Sequence, residues 1–206
     1  MSLILLSNTR GNNNISIFEE IVRLLGDEKR IAYIPTSTDP ELKYFGETEM
    51  FFAKIGTFQL EYFGLFDQEW EDNFIEQISG CDAIYISGGN TYNLLYHIKL
   101  RKLEEVIKNF SEKKVVIGTS AGGIVLTPSI SISDESNEFG LTSFEGLNLT
   151  EFFFYPHFKV GKEYPEELQE FIKQNPKSVI YAVPDKSAMS VVNGKINLIG
   201  EVINLQ

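Results

Sequence analysis

A serine stands between two glycines in residues 118–122, which read Gly-Thr-Ser-Ala-Gly. The residues before them, 115–117, and after them, 124–126, are apolar and mostly β-branched. This pattern predicts a strand, a very sharp turn at Ser120 and a buried helix, the arrangement of a nucleophile elbow. Such a turn lifts the serine hydroxyl beside free N–H groups at a helix amino end, where attack on a carbonyl carbon can be supported. An ordinary Gly/Ser-rich turn is the alternative.

A serine nucleophile needs a base to take its proton, and the chain has two histidines. His157 lies in residues 152–158, Phe-Phe-Phe-Tyr-Pro-His-Phe. A polar ring among aromatic residues usually has a specific partner, so we expect His157 to be the base, with a structural core histidine as the alternative. For His97, which falls in a predicted helix, a structural role is favoured.

An acidic residue is then needed to orient the histidine. Asp134 and Glu135 are candidates, in residues 131–136, Ser-Ile-Ser-Asp-Glu-Ser. Alternation along an extended segment would place the two side chains on opposite faces, so only one should reach the site. Both could instead belong to a solvated acidic turn. The residues by themselves do not choose between the two carboxylates.

A second glycine motif occupies residues 87–91, Ser-Gly-Gly-Asn-Thr, between a predicted strand and a predicted helix. Glycines allow close approach of the backbone, and their N–H groups can converge on an anion. The Walker lysine and the dinucleotide glycine spacing are absent, so we expect oxyanion support rather than phosphate binding. Gly88 and Asn90 are candidate substrate contacts, because open α/β sheets bind ligands at this edge.

The elements that must position these groups alternate along the first two thirds of the chain. Strands are predicted at 3–7, 31–34, 58–63, 83–86 and 115–117, with helical periodicity between them. This alternation predicts parallel strands joined by right-handed crossovers in an α/β domain. Beyond Val125 the pattern favours antiparallel strands and loops, ending in a hairpin with an Asn193-Gly194 turn. The length of 206 residues suits one domain, 1–206.

Composition excludes several classes of function. A net charge of −11 argues against nucleic acid as a partner, because phosphate binding needs a basic stripe. The apolar segments are too short to span a bilayer. The one cysteine, Cys81, allows no intramolecular disulfide, which fits the cytoplasm. Paired His or Cys ligands at short spacing are lacking, so no metal and no cofactor are expected.

Three motifs in order resemble a known family. Gly-Gly-Asn-Thr at 88–91, Gly-Thr-Ser-Ala-Gly-Gly at 118–123, and the stretch from Asn-Leu at 148 to Pro-His-Phe ending at 158 together are similar to peptidase family S51. This group contains α-aspartyl dipeptidase (peptidase E) and cyanophycinase-like serine peptidases. The similarity runs over most of the chain, beginning with Leu-Leu-Ser-Asn at 5–8.

The resemblance implies a flavodoxin-like three-layer sandwich with a mainly parallel sheet, related to class I glutamine amidotransferases. It implies that Ser120 is the nucleophile, that His157 is the base and that Glu135 is the third member of the triad. Peptidase E has aspartate at that third position, whereas cyanophycinase-like members have glutamate. The backbone donors of the oxyanion hole that match are Gly89 and Ala121.

The resemblance also bears on substrate recognition. Peptidase E carries a long basic loop after its histidine, whereas residues 159–167 here contain no arginine. An aspartate pocket needs a fixed cation, and Lys159, Lys162 and Arg10 are the candidates for it. Asp134 is a further candidate substrate contact if Glu135 orients the histidine.

The sequence thus predicts a cytoplasmic serine peptidase, monomeric or homodimeric, that hydrolyses short peptides with a Ser-His-Glu triad. An esterase or amidase on the same site is one alternative. A non-catalytic binding protein that retains an amidotransferase-like scaffold is the other.

Overall fold

Strands and helices alternate in the computed structural model, which describes residues 1–26, 28–66, 70, 71 and 73–205. The strands are β1 (Ser2–Leu6), β2 (Glu28–Ile34), β3 (Thr57–Tyr62), β4 (Ala83–Ile86), β5 (Val115–Thr119), β6 (Phe152–Pro156), β7 (Val179–Val183), β8 (Ala188–Val192), β9 (Lys195–Ile199) and β10 (Ile203–Asn204). The helices are α1 (Ile15–Leu25), α2 (Lys43–Phe52), α3 (Phe74–Gly80), α4 (Thr91–Leu100), α5 (Glu104–Lys113), α6 (Ala121–Ile124) and α7 (Glu166–Gln174).

The large sheet has seven strands in the order β3-β2-β4-β5-β1-β8-β9. The five strands from β3 to β1 run parallel, and β8 and β9 are antiparallel to their neighbours. Parallel neighbours need crossover connections, which the intervening helices supply. The carboxyl ends of β1, β2, β4 and β5 therefore lie along one edge of the sheet.

Both faces of this sheet are covered, so its central strands are apolar on both sides. Along β1, Leu3 and Leu5 pack into the core formed with α3, α4, α5 and the smaller sheet. Ile4 and Leu6 point the other way, into the core formed with α1 and α2. The resulting three layers confirm the expected α/β class with a mainly parallel sheet.

The segment after Val125 contains the expected loops and antiparallel strands, but it also contains one parallel pair of strands. Residues 126–151 form turns and loops with a single isolated bridge, Ser129 to Glu145, among the described residues. Strand β6 then pairs in parallel with β7, and β10 joins β7 antiparallel, which gives a separate three-stranded sheet. The aromatic run 152–154 is strand-like because its side chains are buried between this sheet and the helices.

The C-terminal hairpin is confirmed. Strands β8 and β9 pair through the Asn193-Gly194 turn, where both residues have positive φ, 50° and 77°. Two positive φ values match the right-handed twist of the paired strands.

Across the described ranges, no helix combines the length and apolarity that crossing a membrane requires.

Candidate active site

The turn at Ser120 joins the end of β5 to α6. Ser120 has φ 50° and ψ −114°, a conformation that costs of order 1–3 kcal/mol and persists only where its surroundings enforce it. The N–H of Ser120 donates to the Leu6 carbonyl at 2.9 Å. The Ser120 carbonyl accepts from Gly123 and Ile124 in α6. Backbone bonds on both sides thus hold the strained residue in place.

The glycines that flank the turn are required by close contacts between main chains. A Cβ at Gly118 would overlap the Gly122 carbonyl, and a Cβ at Gly122 would overlap the Ile86 carbonyl at the end of β4. Neither overlap can be relieved by rotating a side chain. The sharp strand–turn–helix therefore depends on glycine at both positions.

Replacing Gly118 with alanine is expected to lower the free energy of unfolding by about 2–4 kcal/mol, because backbone must move to admit the methyl group. The matched control is Gly46→Ala in α2, where an added Cβ meets nothing within 4 Å. That variant should gain about 0.5–1 kcal/mol, since alanine is the better helix former. Urea unfolding of the two variants measures both changes, and equal stabilities would contradict the steric argument.

His157 follows β6 directly and approaches the serine. Its Nε2 lies 2.9 Å from Ser120 Oγ. The backbone of His157 has a positive φ of 57°, and its N–H donates to Ser7 Oγ at 2.8 Å. The His157 side chain is 48% exposed, so the ring stands at the edge of the site while the aromatic residues of β6 point into the core.

Asp185 is the carboxylate that meets this histidine. Its Oδ1 lies 2.8 Å from His157 Nδ1 and accepts from the Ser7 hydroxyl at 3.2 Å. Partial burial by itself would raise the pKa of Asp185. The hydrogen bond and charge of His157, together with the side chains of Asn8 and Ser7, outweigh burial and lower that pKa below its ordinary value.

Glu135 and Asp134 are not brought to His157. Glu135 Oε2 accepts from the Thr91 N–H at 2.8 Å and from the Ser133 hydroxyl, so its carboxylate is used at the first turn of α4. Asp134 is exposed. The expected Ser-His-Glu geometry is therefore replaced by a Ser-His-Asp geometry, because the β7–β8 connection, and not segment 131–136, passes beside the histidine.

Sequence reasoning missed both Asp185 and Ser7. Residues 183–187 read Val-Pro-Asp-Lys-Ser, and a proline-marked turn that carries an acidic residue after a buried strand was the available signal. Ser7 follows the first strand and is fully buried. A buried hydroxyl at the carboxyl end of a parallel strand points to the same edge as Ser120, but nothing local distinguishes it from a core serine.

The Gly88–Gly89 segment lies beside the serine, as expected. A Cβ at Gly88 would stand 3.2 Å from Ser120 Cβ, so the two segments are in direct contact. Asn90 caps α4, its side chain accepting from the Asn93 N–H at 2.8 Å. Within the described residues, neither Gly89 N–H nor Ala121 N–H donates to a backbone acceptor. Both donors are therefore available to a ligand.

A cavity of about 450 Å³ opens onto this constellation. Its lining includes Gly88, Asn90, Ser120 and His157, together with many hydroxyl groups from the ends of β1, β2 and β4. Of the other residues predicted to bind substrate, Asp134 and Lys159 are not among the described residues that line it, whereas Arg10 is.

Charged groups in the cavity wall are already engaged. Arg10 Nε lies 2.8 Å from Glu47 Oε2, and the Arg10 guanidinium stacks over Tyr44. Asp39 accepts from the backbone N–H groups of Lys43 and Phe45 at 2.9 and 3.0 Å. The ion pair and the helix-capping carboxylate leave the cavity polar, with no excess of positive charge on its described walls.

His97 has the structural role that was favoured for it. It is buried, its Nδ1 lies 2.9 Å from the Asn93 carbonyl oxygen, and its ring packs against Phe66 and Phe139. Burial lowers the pKa of His97.

Within the described ranges, no group of three or more His, Cys, Asp or Glu is arranged to hold a metal ion.

Comparison with known proteins places the chain in a family. The family model described as peptidase family S51 matches residues 3–199. A peptidase E from Nostoc sp. is 29% identical over 96% of this chain and 85% of its own length. A peptidase E from Haemophilus influenzae is 34% identical over 60% of each chain. An uncharacterized peptidase from Listeria innocua is 26% identical over 87% of this chain and 96% of its own.

Solved structures share the fold. A putative peptidase E from Listeria monocytogenes superposes with a TM-score of 0.73 at 22% identity, covering 100% of this chain and 98% of its own. A peptidase from an acI-B1 actinobacterium gives 0.71 at 17% identity, with 99% and 96% covered. At these identities the likeness concerns the arrangement of strands and helices.

Proposed function

The chain belongs to peptidase family S51 and is a serine-type peptidase, and we propose that it hydrolyses short peptides with Ser120, His157 and Asp185 as its triad. The observation that carries the proposal is the unbroken chain of contacts from Ser120 Oγ through the His157 ring to Asp185, at 2.9 and 2.8 Å. These are the distances at which a nucleophile, a base and an orienting acid act together.

In this mechanism His157 Nε2 takes the hydroxyl proton as Ser120 Oγ attacks the peptide carbonyl. Asp185 accepts from Nδ1–H, which keeps the lone pair on Nε2 and stabilises the imidazolium that forms. Asp185 is ionised at neutral pH, because even the ordinary pKa of an aspartate lies well below 7, and the pKa of Asp185 is lowered further by its contact with His157. His157 then gives the proton to the leaving amine, and a water activated by the same ring hydrolyses the acyl-enzyme.

The negative charge that develops on the carbonyl oxygen needs hydrogen-bond donors. We assign that role to the N–H groups of Gly89 and Ala121. The support is their position, since Gly88 touches Ser120 and Ala121 begins α6 directly after it. Both groups lack a backbone acceptor among the described residues. Donors that are already oriented cost no reorganisation during the reaction.

The cavity supports a short substrate without an acidic side chain. A volume of about 450 Å³ accommodates a residue or two beside the serine. Pairing of Arg10 with Glu47 reduces its attraction for an acidic side chain, so we expect no preference for an aspartate at the amino terminus. A dipeptide library measures this directly, and a dominant preference for aspartate would contradict the charge argument.

The test of the proposed function is covalent labelling with a fluorophosphonate probe, which reacts with activated serine hydroxyls. We expect one equivalent of probe, located on Ser120 by mass spectrometry, and hydrolysis of dipeptides that stops when labelling is complete. Heat-denatured protein is the control, because unfolding separates Ser120 from His157.

Two results would contradict the proposal. Absence of labelling in protein that is folded by circular dichroism would favour a non-catalytic binding protein. Labelling accompanied by hydrolysis of small esters, with no cleavage across a peptide library, would favour an esterase on the same site.

A further inference from the structure

The loop that carries Gly89 is fastened at its first peptide by groups from the end of β2. Thr36 is buried, and its hydroxyl donates to the Gly88 carbonyl. The Ser87 hydroxyl lies 3.4 Å from the same carbonyl oxygen and 3.3 Å from Thr36 Oγ1. The Gly88–Gly89 peptide plane is therefore held by its oxygen.

Holding that oxygen also orients the Gly89 N–H. A trans peptide is planar, and its C=O and N–H point in opposite directions. With the Gly88 carbonyl turned toward Thr36, the Gly89 N–H is turned away from Thr36. Glycine is needed here, because φ at Gly89 is 148° and a Cβ would overlap the Thr36 side chain. The close approach to Thr36 thus explains the second glycine of the motif.

The same loop is fastened at its far end by Glu135. The Thr91 N–H donates to Glu135 Oε2 at 2.8 Å. Beside it, the Asn90 side-chain amide donates to the Ser136 carbonyl at 2.9 Å. Tyr92 adds a hydrogen bond from its hydroxyl to the Ser133 carbonyl at 3.1 Å. Segment 133–136 therefore binds the residues that directly follow Gly89.

We propose that Thr36 and Glu135 are positioning residues that fix the loop of residues 88–91 at its two ends, Thr36 at the Gly88 carbonyl and Glu135 at the Thr91 N–H, so that the Gly89 N–H stays aimed at the oxyanion. The proposal rests on the proposed function, in which that N–H is an oxyanion donor. It gives Glu135 a role in catalysis through the backbone of the loop, without contact with His157. Rotation of this peptide would withdraw a donor whose full removal costs roughly 100–1,000-fold in kcat in serine peptidases.

The experiment uses two matched pairs of variants. Thr36→Val keeps the shape and removes the hydroxyl, whereas Thr36→Ser keeps it; Glu135→Ala removes the acceptor, whereas Glu135→Gln keeps an acceptor oxygen. Each variant is titrated with the fluorophosphonate probe, so that kcat refers to folded sites. We expect Thr36→Val and Glu135→Ala to lose about 10–100-fold in kcat with KM changed less than about threefold. The conservative partners should recover most of the loss.

A peptide aldehyde supplies a readout that general destabilisation would not move. Ser120 adds to the aldehyde carbon, and the former carbonyl oxygen takes the place of the oxyanion. In Thr36→Val and Glu135→Ala, the affinity for the aldehyde should fall by the same factor as kcat. The pH dependence of kcat should stay unchanged, since His157 and Asp185 are untouched.

Retention of kcat and of aldehyde affinity in Thr36→Val and Glu135→Ala would overturn the proposal. A shifted pH profile in Glu135→Ala and Glu135→Gln would overturn it too, because it would place Glu135 on His157. A wild-type protein that neither labels nor cleaves peptides would overturn the proposed function first and this inference with it.

Discussion

Replacement of Ser120 by alanine is expected to lower kcat on peptide substrates by about six orders of magnitude. Without the hydroxyl oxygen no acyl-enzyme can form, and the remaining donors and cavity only orient water and substrate. The fold should persist, because the backbone bonds of the turn are made by main-chain atoms of Leu6, Gly123 and Ile124. Alanine and serine at this position also have a similar cost for the positive φ of 50°, so the substitution adds little backbone strain. Purified variant is measured by single-turnover cleavage and by thermal unfolding.

A second substitution at the same position provides a control for accessibility. In Ser120→Cys the new thiol should be alkylated by iodoacetamide, because it faces the open cavity beside His157. Cys81 should stay unmodified, since it is fully buried and burial raises the pKa of its thiol to about 11.

In Ser120→Ala, losses of order a millionfold in kcat are expected. Peptidase activity above about 1% of wild type in that variant would show that another group performs the attack.

Replacement of Asp185 by asparagine is expected to lower kcat by about 10⁴-fold with a small change in KM. An asparagine can present its NH₂ group to Nδ1, which favours the tautomer that carries a proton on Nε2, and such a ring cannot accept from Ser120. The Ser7 hydroxyl would lose its carboxylate acceptor as well. Steady-state kinetics on a neutral dipeptide across pH 6–9 measures the loss.

Comparison with other carboxylates decides which acid orients the histidine. Glu135→Gln retains an acceptor for the Thr91 N–H and should stay within about tenfold of wild type, as expected for a residue acting through the loop. Glu163→Gln removes an exposed charge from the segment after His157 and serves as the matched control. A larger loss in Glu135→Gln than in Asp185→Asn would restore the Ser-His-Glu assignment.

The α/β class was predictable because it follows from short-range rules. Apolar β-branched runs alternate with helical periodicity, and each pattern requires a buried face that only a covered parallel sheet provides. The turn at Asn193-Gly194 was predictable for a similar reason, since the two residues tolerate the positive φ that a two-residue hairpin needs. Beyond Val125 the pattern predicts antiparallel strands and loops without giving their bounds, and the parallel pairing of β6 with β7 was not predictable from it.

The candidate site likewise has features that the sequence predicts and one contact that it does not. The turn at Ser120 and the glycines around it were predictable, because steric contacts in a sharp turn allow few residue types. Those contacts join residues that are close together in the sequence. A specific partner for His157 was predictable, because its polar ring follows an apolar strand. The carboxylate that contacts His157 was not predictable, because Glu135 and Asp185 are both polar residues in turns, and their local sequences look alike.

The sequence by itself therefore determined the type of fold and predicted the nucleophile and its base, because all of these depend on local geometry and on periodic burial. Only the tertiary structure decided which carboxylate faces His157 Nδ1. That contact depends on where the chain passes from β7 in the small sheet to β8 in the large one. The pairing of β8 with β1 sets that crossing and brings Asp185 to Ser7, and such pairing between distant strands is fixed by the packing of the whole molecule.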